Sequence, residues 1–170
     1  MLAPSDRLRY APGSLLLIVG ADAAGREAFA ARVLEDQGAL LSMPKLRRML
    51  QGRVPEGEVD DKARALLDAT AAKRLASGQT VVTALESLDP ADRERYVRMA
   101  HSHRRPRHLI LVEGGKDSVA EEDRATLGAL RTALDAGEMG QEGFVTSLRL
   151  GGRTIAELKR IVFAPPPADD

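Results

Sequence analysis

The stretch "LLLIVGADAAGREAFAARVL", residues 15–34, decides the fold. It runs from an apolar strand through a glycine turn into a helix. "SLLLIV" (14–19) is a continuous apolar run closed by Gly20. Such a run suits a strand buried on both faces of a parallel sheet. "REAFAARVLEDQG" (26–38) has the helical period, with Phe29, Val33 and Leu34 on one face and Gly38 available to end it. Gly20 and Gly25 sit five apart, the spacing of a phosphate-binding loop. In such a loop the glycines allow the backbone angles, N–H groups and a helix N-terminus face the anion, a lysine reaches the phosphates and a hydroxyl holds magnesium. Here the lysine and hydroxyl positions hold Arg26 and Glu27. Arginine keeps the charge, but a planar fork does not replace a compact ammonium at close quarters. Glu27 either ligates a metal or is an exposed acid in a first helical turn, favoured by the helix dipole. Asp22 lies inside the loop. Any strand-turn-helix entry with Gly25 needed for packing would read the same way.

Working outward, the pattern alternates. A short strand candidate, "ALLS" (39–42), precedes a helix that begins at Pro44, "PKLRRML" (44–50). "EVDDKARALLDATAAKRLAS" (58–77) is a long helix with Leu66, Leu67, Ala69 and Leu75 expected inward. "QTVVTAL" (79–85) is a β-branched strand. "DPADRERYVRMAHSH" (89–103) has Asp89 as N-cap, Pro90 at its first position, and Tyr96, Val97 and Ala100 on one side. "HLILVE" (108–113) is a strand, 119–137 a helix, "GFVTSLRL" (143–150) a strand and "RTIAELKRI" (153–161) a last helix. Strands alternating with helices predict an α/β fold: a mainly parallel, five-stranded sheet in three layers, flanked by helices. Residues 1–13 read as a loose lead-in, 14–162 as one domain, and 163–170 as a disordered proline-rich tail.

Composition narrows the function. The chain has 170 residues, 25 Lys plus Arg against 25 Asp plus Glu, and no cysteine. The neutral balance argues against bulk electrostatic binding of nucleic acid or membrane, though not against a local patch. Disulfides and thiolate chemistry are excluded. Only Tyr10, Phe29, Tyr96, Phe144 and Phe163 offer aromatic rings, few for stacking on bases. The N-terminus lacks the apolar core of a secretion signal, and no run approaches the roughly 20 apolar residues of a membrane span. A cytoplasmic protein is expected.

The segments "AAKRLASGQTVVTALESLDPADRERYVRMAHSHRRPRHLILVE" (71–113) and "LRTALDAGEMGQEGFVTSL" (130–148) resemble the 5′-polynucleotide kinase-like, AAA-type branch of P-loop kinases. The likeness spans roughly residues 13 to 150 and rests on order and pattern more than on chemistry. It implies a P-loop NTPase-like fold. Carried over by position, most of the catalytic set is missing. The loop Lys and Ser/Thr fall on Arg26 and Glu27. After the second strand the family has Ser-Asp and then an Arg; "LSMPKLRR" keeps Ser42 and Arg47 but puts Pro44 at the expected general base. "TALES" puts Thr83 at a family acid and Glu86 near a family Asn. The segment "GGKDSVAEEDRATLGA" (114–129) is short for the family's arginine-bearing lid and offers Lys116 and Arg124.

Two basic sets stand out. Lys45, Arg47, Arg48 and Arg53 lie in and after the helix that Pro44 starts. "HSHRRPRH" (101–108) gathers Arg104, Arg105 and Arg107 with three histidines. Each reads as an anion or partner patch, or as a solvated face. The pair His101 and His103 shows no third metal ligand, and no metal site is assigned.

The expectation is therefore a degenerate P-loop kinase-like domain, a pseudokinase that works as a binding, regulatory or scaffold module. Gly20, Asp22, Gly25, Arg26 and Glu27 would form any residual nucleotide or phosphate site. No cofactor is required, and ATP or GTP with magnesium is the ligand the frame would admit. A protein partner or a second copy is expected, with nucleic acid a weaker candidate and no membrane. The alternative is an active ATP-dependent kinase acting on a nucleic-acid 5′-hydroxyl or a small-molecule hydroxyl. There Arg26 would contact phosphates, Glu27 would ligate magnesium and Arg47 would contact the acceptor.

Overall fold

A computed structural model describes residues 7–113, 121–151 and 153–165. Four parallel strands form the main sheet: β2 (Leu15–Val19), β3 (Val81–Ala84), β4 (Arg107–Glu113) and β5 (Thr146–Gly151), in the order β3-β2-β4-β5. β2 lies between β3 and β4, and all five of its residues are buried, as a strand covered on both faces requires. Alternate residues feed two cores. Leu15, Leu17 and Val19 join the side covered by α2 (Met43–Leu50), α3 (Val59–Ala76), α4 (Pro90–Ser102) and α5 (Glu121–Asp135). Leu16 and Ile18 join the side covered by α1 (Ala23–Val33), with Phe29, Ala30 and Val33. The α/β class and the parallel sheet between helical layers are as the sequence predicts.

The expected fifth strand is absent. Residues 37–39 wind into a 3-10 turn, with the Asp36 side chain accepting from Gly38 N. Ser42 then caps α2, and Pro44 sits in that helix's first turn. Only Leu40 and Leu41 remain extended between these two caps. They make a single bridge, Leu40 to Val82, and one hydrogen bond from Leu41 N to Val82 O at 2.8 Å. Thr83 ties down the same segment by donating its hydroxyl to Leu41 O at 2.9 Å.

A second, two-stranded parallel sheet pairs β1 (Arg7–Tyr10) with β6 (Arg160–Phe163). β1 falls in the stretch read as a loose lead-in, and β6 takes Arg160 and Ile161, expected to be helical, together with Phe163, expected in the disordered tail. The last helix, α6 (Arg153–Glu157), is correspondingly short. Ile161 and Val162 are β-branched and buried, and Glu35 N donates to Ile161 O, so this segment gains more as a strand than as another helical turn. Pairing of residues as distant as Arg7 and Arg160 leaves no local sign in either segment. Residues 166–170 of the expected tail lie outside the described residues, as do 1–6 of the lead-in.

α3 also differs in detail. Its buried residues are Val59, Ala63, Leu67, Ala71 and Leu75, a strict four-residue step, while Leu66 and Ala69 face solvent. α4 follows its capping signals: Asp89 accepts from Ala91 N at 3.0 Å, and Tyr96, Val97 and Ala100 are buried.

β1 packs against β4 through Tyr10, whose ring centroid lies 4.4 Å from that of His108. His108 is 5% exposed; Nδ1 meets Thr146 Oγ1 at 2.8 Å, and Nε2 is buried without a partner. Burial, with Arg107 nearby, pushes the imidazole from 6.5 down to about 4. The fold therefore keeps His108 neutral. Its contribution is complete above pH 6.5 and is lost as pH falls toward 4, where the unfolded chain takes up a proton the folded one refuses. Urea unfolding at pH 7 and pH 4 should show wild type losing about 3 kcal/mol more than His108→Gln over that interval. Parallel pH profiles would contradict this.

Candidate functional site

The turn from β2 into α1 sits at the carboxyl end of the central strand, where open parallel sheets bind ligands. Its form departs from a phosphate nest. α1 already begins at Ala23, so Gly20, Ala21 and Asp22 are the whole connection. Arg26 N donates to Asp22 O at 3.0 Å, an ordinary helical bond, which puts Gly25 inside the first turn of the helix. Neither Gly20 nor Gly25 has a positive φ. The expectation that they supply unusual backbone angles is therefore corrected. A Cβ on Gly20 would strike the carbonyl oxygen of Val112 in β4, and one on Gly25 would come within 2.8 Å of Asp22 Oδ2. Gly20 is needed for close approach of two backbones; Gly25 faces only a movable side chain.

Arg26 occupies the space behind this turn. It is 4% exposed, and its Nη1 donates to the carbonyl of Gly20. Burial lowers its pKa from the usual arginine value, and the carboxylates of Glu86, Glu27, Asp22 and Asp123 oppose that shift. A planar guanidinium buried against the Gly20 carbonyl, with four carboxylates in its surroundings, is a packed internal cation rather than a mobile reach toward a phosphate.

Glu27 is not the exposed first-turn acid of the sequence reading. It is half-buried one turn further on, and it accepts from Ser42 Oγ at 3.2 Å. Burial raises its carboxyl pKa, with the Ser42 hydrogen bond and the Arg26 charge acting against the rise. Ser42 in turn accepts from Lys45 N as the cap of α2. The would-be magnesium position and the surviving family serine thus hold each other.

Arg47 is similarly engaged. Its Nη1 donates to Glu86 Oε2 at 2.6 Å, its Nη2 to Glu86 Oε1, and its Nε to Asp60 Oδ1 at 2.7 Å. These contacts join α2, the end of β3 and the start of α3. They hold the Arg47 pKa above the usual value. Thr83, at the family's acid position, is 1% exposed and serves the Leu41 tie described above.

A cleft of about 370 Å³ opens beside the turn, lined among others by Gly20, Arg26, Glu86, Asp89, Asp123 and Thr126. Three of its lining residues are acids and one is a cation. Asp123 belongs to α5, in the region read as a shortened lid. Arg124 is exposed and is not among the lining residues, and Lys116 lies outside the described residues. Sequence reading missed Asp89 and Asp123 as neighbours of the loop. Asp89 was legible only as a cap, and only the topology brings α5 to the end of β2. Among the described residues no three His, Asp or Glu side chains converge to hold a metal ion.

The two basic sets lie apart. Lys45 and Arg48 are exposed on α2, whose cap Ser42 meets Glu27 of α1. Arg104, Arg105 and Arg107 lie at the amino end of β4, beside Leu15 at the start of β2 and so at the opposite end of the sheet from Gly20. There Arg105 Nε donates to Leu75 O at 2.8 Å and Arg107 Nε to Gly143 O at 2.8 Å. Arg104 is exposed, with φ 59°. Two of these three arginines serve the chain's own carbonyls.

The glycine geometry makes an asymmetric prediction. Gly20→Ala should lose on the order of 2 kcal/mol of stability by overpacking against the β4 backbone. Gly25→Ala should be neutral, or stabilising by up to about 1 kcal/mol, because it lies in a helix. Urea unfolding of both variants measures the difference; equal losses would contradict the helical placement of Gly25.

With this geometry in hand, comparison with known proteins locates the chain. The family model of the AAA domain matches residues 15–126. No curated protein matches. Among solved structures, a "putative kinase" from Chloroflexus aurantiacus superposes with a TM-score of 0.50 at 18% identity, covering 81% of this chain and 84% of that one. At that identity the likeness shows the fold. No helix of the described residues is long and apolar enough to cross a membrane.

Proposed function

The chain belongs to the AAA domain family and has a P-loop kinase-like NTPase fold, and from that premise we propose that it is a pseudokinase: a domain that has given up phosphoryl transfer and serves as a binding, regulatory or scaffold module. The observation that carries this reading is Arg26, buried at the loop's lysine position and donating to the Gly20 carbonyl. Phosphoryl transfer rests on positioning and charge neutralisation by a cooperating set of groups. Here each expected member has another occupation. Arg26 closes its own turn, Glu27 accepts from Ser42, Pro44 lies in the first turn of α2, and Arg47 holds Glu86. The acid-rich lining of the cleft adds a like charge wherever a triphosphate would lie. Losses in a set that acts as a unit are not restored by one surviving arginine. What remains is a rigid α/β platform suited to a protein partner or a second copy, with nucleotide or phosphate binding residual at most.

A thermal-shift series with ATP and GTP, with and without magnesium, tests this. Wild type should show no magnesium-dependent shift at millimolar nucleotide. The double variant Arg26→Lys with Glu27→Ser should acquire one, because it restores the ammonium and the hydroxyl to a frame that keeps Gly20. Tight, magnesium-dependent binding by wild type would sink the pseudokinase reading in favour of an active ATP-dependent kinase.

A further inference from the structure

The main sheet has two edges, and they differ. β3 is buried throughout, and Leu40 and Leu41 run along its outer side. β5 has a strand on one side only, β4, and a single buried residue, Leu150. Among the described residues, only β4 and the Thr154 hydroxyl, at Gly151, bond to its backbone. Edge strands are normally guarded by a proline, a bulge or a charged side chain. β5 reads "TSLRLG" and has no proline. Its one charge is drawn aside: Arg149 donates from Nε to Glu113 Oε2, and from Nη1 to Asp135 Oδ2 at 3.1 Å. Val145, at the entrance to the strand, is 63% exposed.

We propose that β5 is the docking edge for a second copy of this chain, the two β5 strands pairing antiparallel about a two-fold axis at Leu148 and joining two sheets into one. An unpaired row of N–H and C=O groups selects an extended backbone as its partner. A two-fold interface requires a strand that complements itself, and β5 does so in this register. Leu148 faces Leu148 of the second copy, on the side where it already packs against the core under α1. Thr146 faces Leu150 on that same side, and Ser147 faces Arg149 on the other. No like charges are directly opposed, which is the arrangement that destabilises a cross-strand pair. Lys plus Arg number 25 and Asp plus Glu 25, so no net charge holds two copies apart.

This pairing goes beyond the pseudokinase reading and holds whether or not the domain is catalytically silent. β4 stands between β5 and β2, so the paired edge is separate from the Gly20 turn. Dimer formation and nucleotide binding are therefore independent observables. Magnesium-ATP binding by wild type would end the pseudokinase reading and leave the dimer standing.

The test is sedimentation equilibrium of the full chain from micromolar to millimolar concentration. Wild type should pass from monomer to dimer over that range and form nothing larger, since pairing uses up the edge. Ser147→Glu sets a carboxylate across from Arg149 on both sides of the axis and should tighten the dimer roughly five-fold; Ser147→Lys sets cation against cation and should weaken it by about as much. A monomer at every concentration overturns the proposal and leaves the edge to a strand of another protein. A dimer that neither substitution shifts overturns it as well. Should the Ser147 variants fail to fold, cross-linking decides. The chain has no cysteine, so Leu148→Cys carries a single thiol, which the pairing sets directly against its own copy. Directly opposed residues lie about 5 Å apart at Cβ, which small strand motions bring into disulfide reach. Oxidation with copper-phenanthroline should give a disulfide-linked dimer from Leu148→Cys and none from Ser77→Cys, exposed at the end of α3. Equal cross-linking of the two, or none from either, overturns the pairing.

Discussion

One buried cation organises the carboxyl end of this sheet. Arg26 reaches back across the first turn of α1 and donates to the carbonyl of Gly20, the last residue before the turn. That contact closes the connection between the central strand and its helix, and it does so from a position that is almost wholly shielded from water. A buried guanidinium is tolerable only among opposing charges. Glu86 from the end of β3, Glu27 and Asp22 from α1 and its cap, and Asp123 from α5 supply them. Three separate elements thus contribute opposing charge around one side chain.

The second constraint is steric. β2 and β4 come so close at their carboxyl ends that Gly20 rests on the Val112 carbonyl. This approach keeps the turn short and lets α1 begin at Ala23. The first helical hydrogen bond runs from Arg26 N to Asp22 O, so the N–H groups ahead of it have no intrahelical partner, and it is the charge around the turn, more than its backbone, that disfavours an anion there. The charge is arranged accordingly: a cation faces inward, acids line the cleft, and the hydroxyl of Ser42 is shared between Glu27 and the cap of α2.

Much of the fold was legible because its signals are local. The unbroken apolar run of β2, the Asp89–Pro90 start of α4 and the β-branched run of β3 are each set by neighbours in sequence. What escaped reading depends on distance. The edge strand at 39–42 shrank to one bridge because two caps, Asp36 and Ser42, compete for the same few residues. The β1–β6 pair joins the two ends of the chain. In the site, the departures at Arg26, Glu27 and Pro44 were visible as residue types, but their new partners were not. Nothing in "GRE" shows that Arg26 turns to Gly20. Nothing in "LRR" or "ALES" shows that Arg47 and Glu86 meet. The two basic sets looked alike in sequence, yet the sheet places them at opposite ends.

The account turns on where the Arg26 guanidinium resides in solution. Side-chain nitrogen NMR of the arginine Nε–H groups, with Arg26 assigned through Arg26→Lys, observes it directly. The account predicts a slowly exchanging, shifted Arg26 resonance that magnesium-ATP leaves unchanged. A rapidly exchanging resonance at the free-arginine position, or one that moves on adding magnesium-ATP, would contradict it.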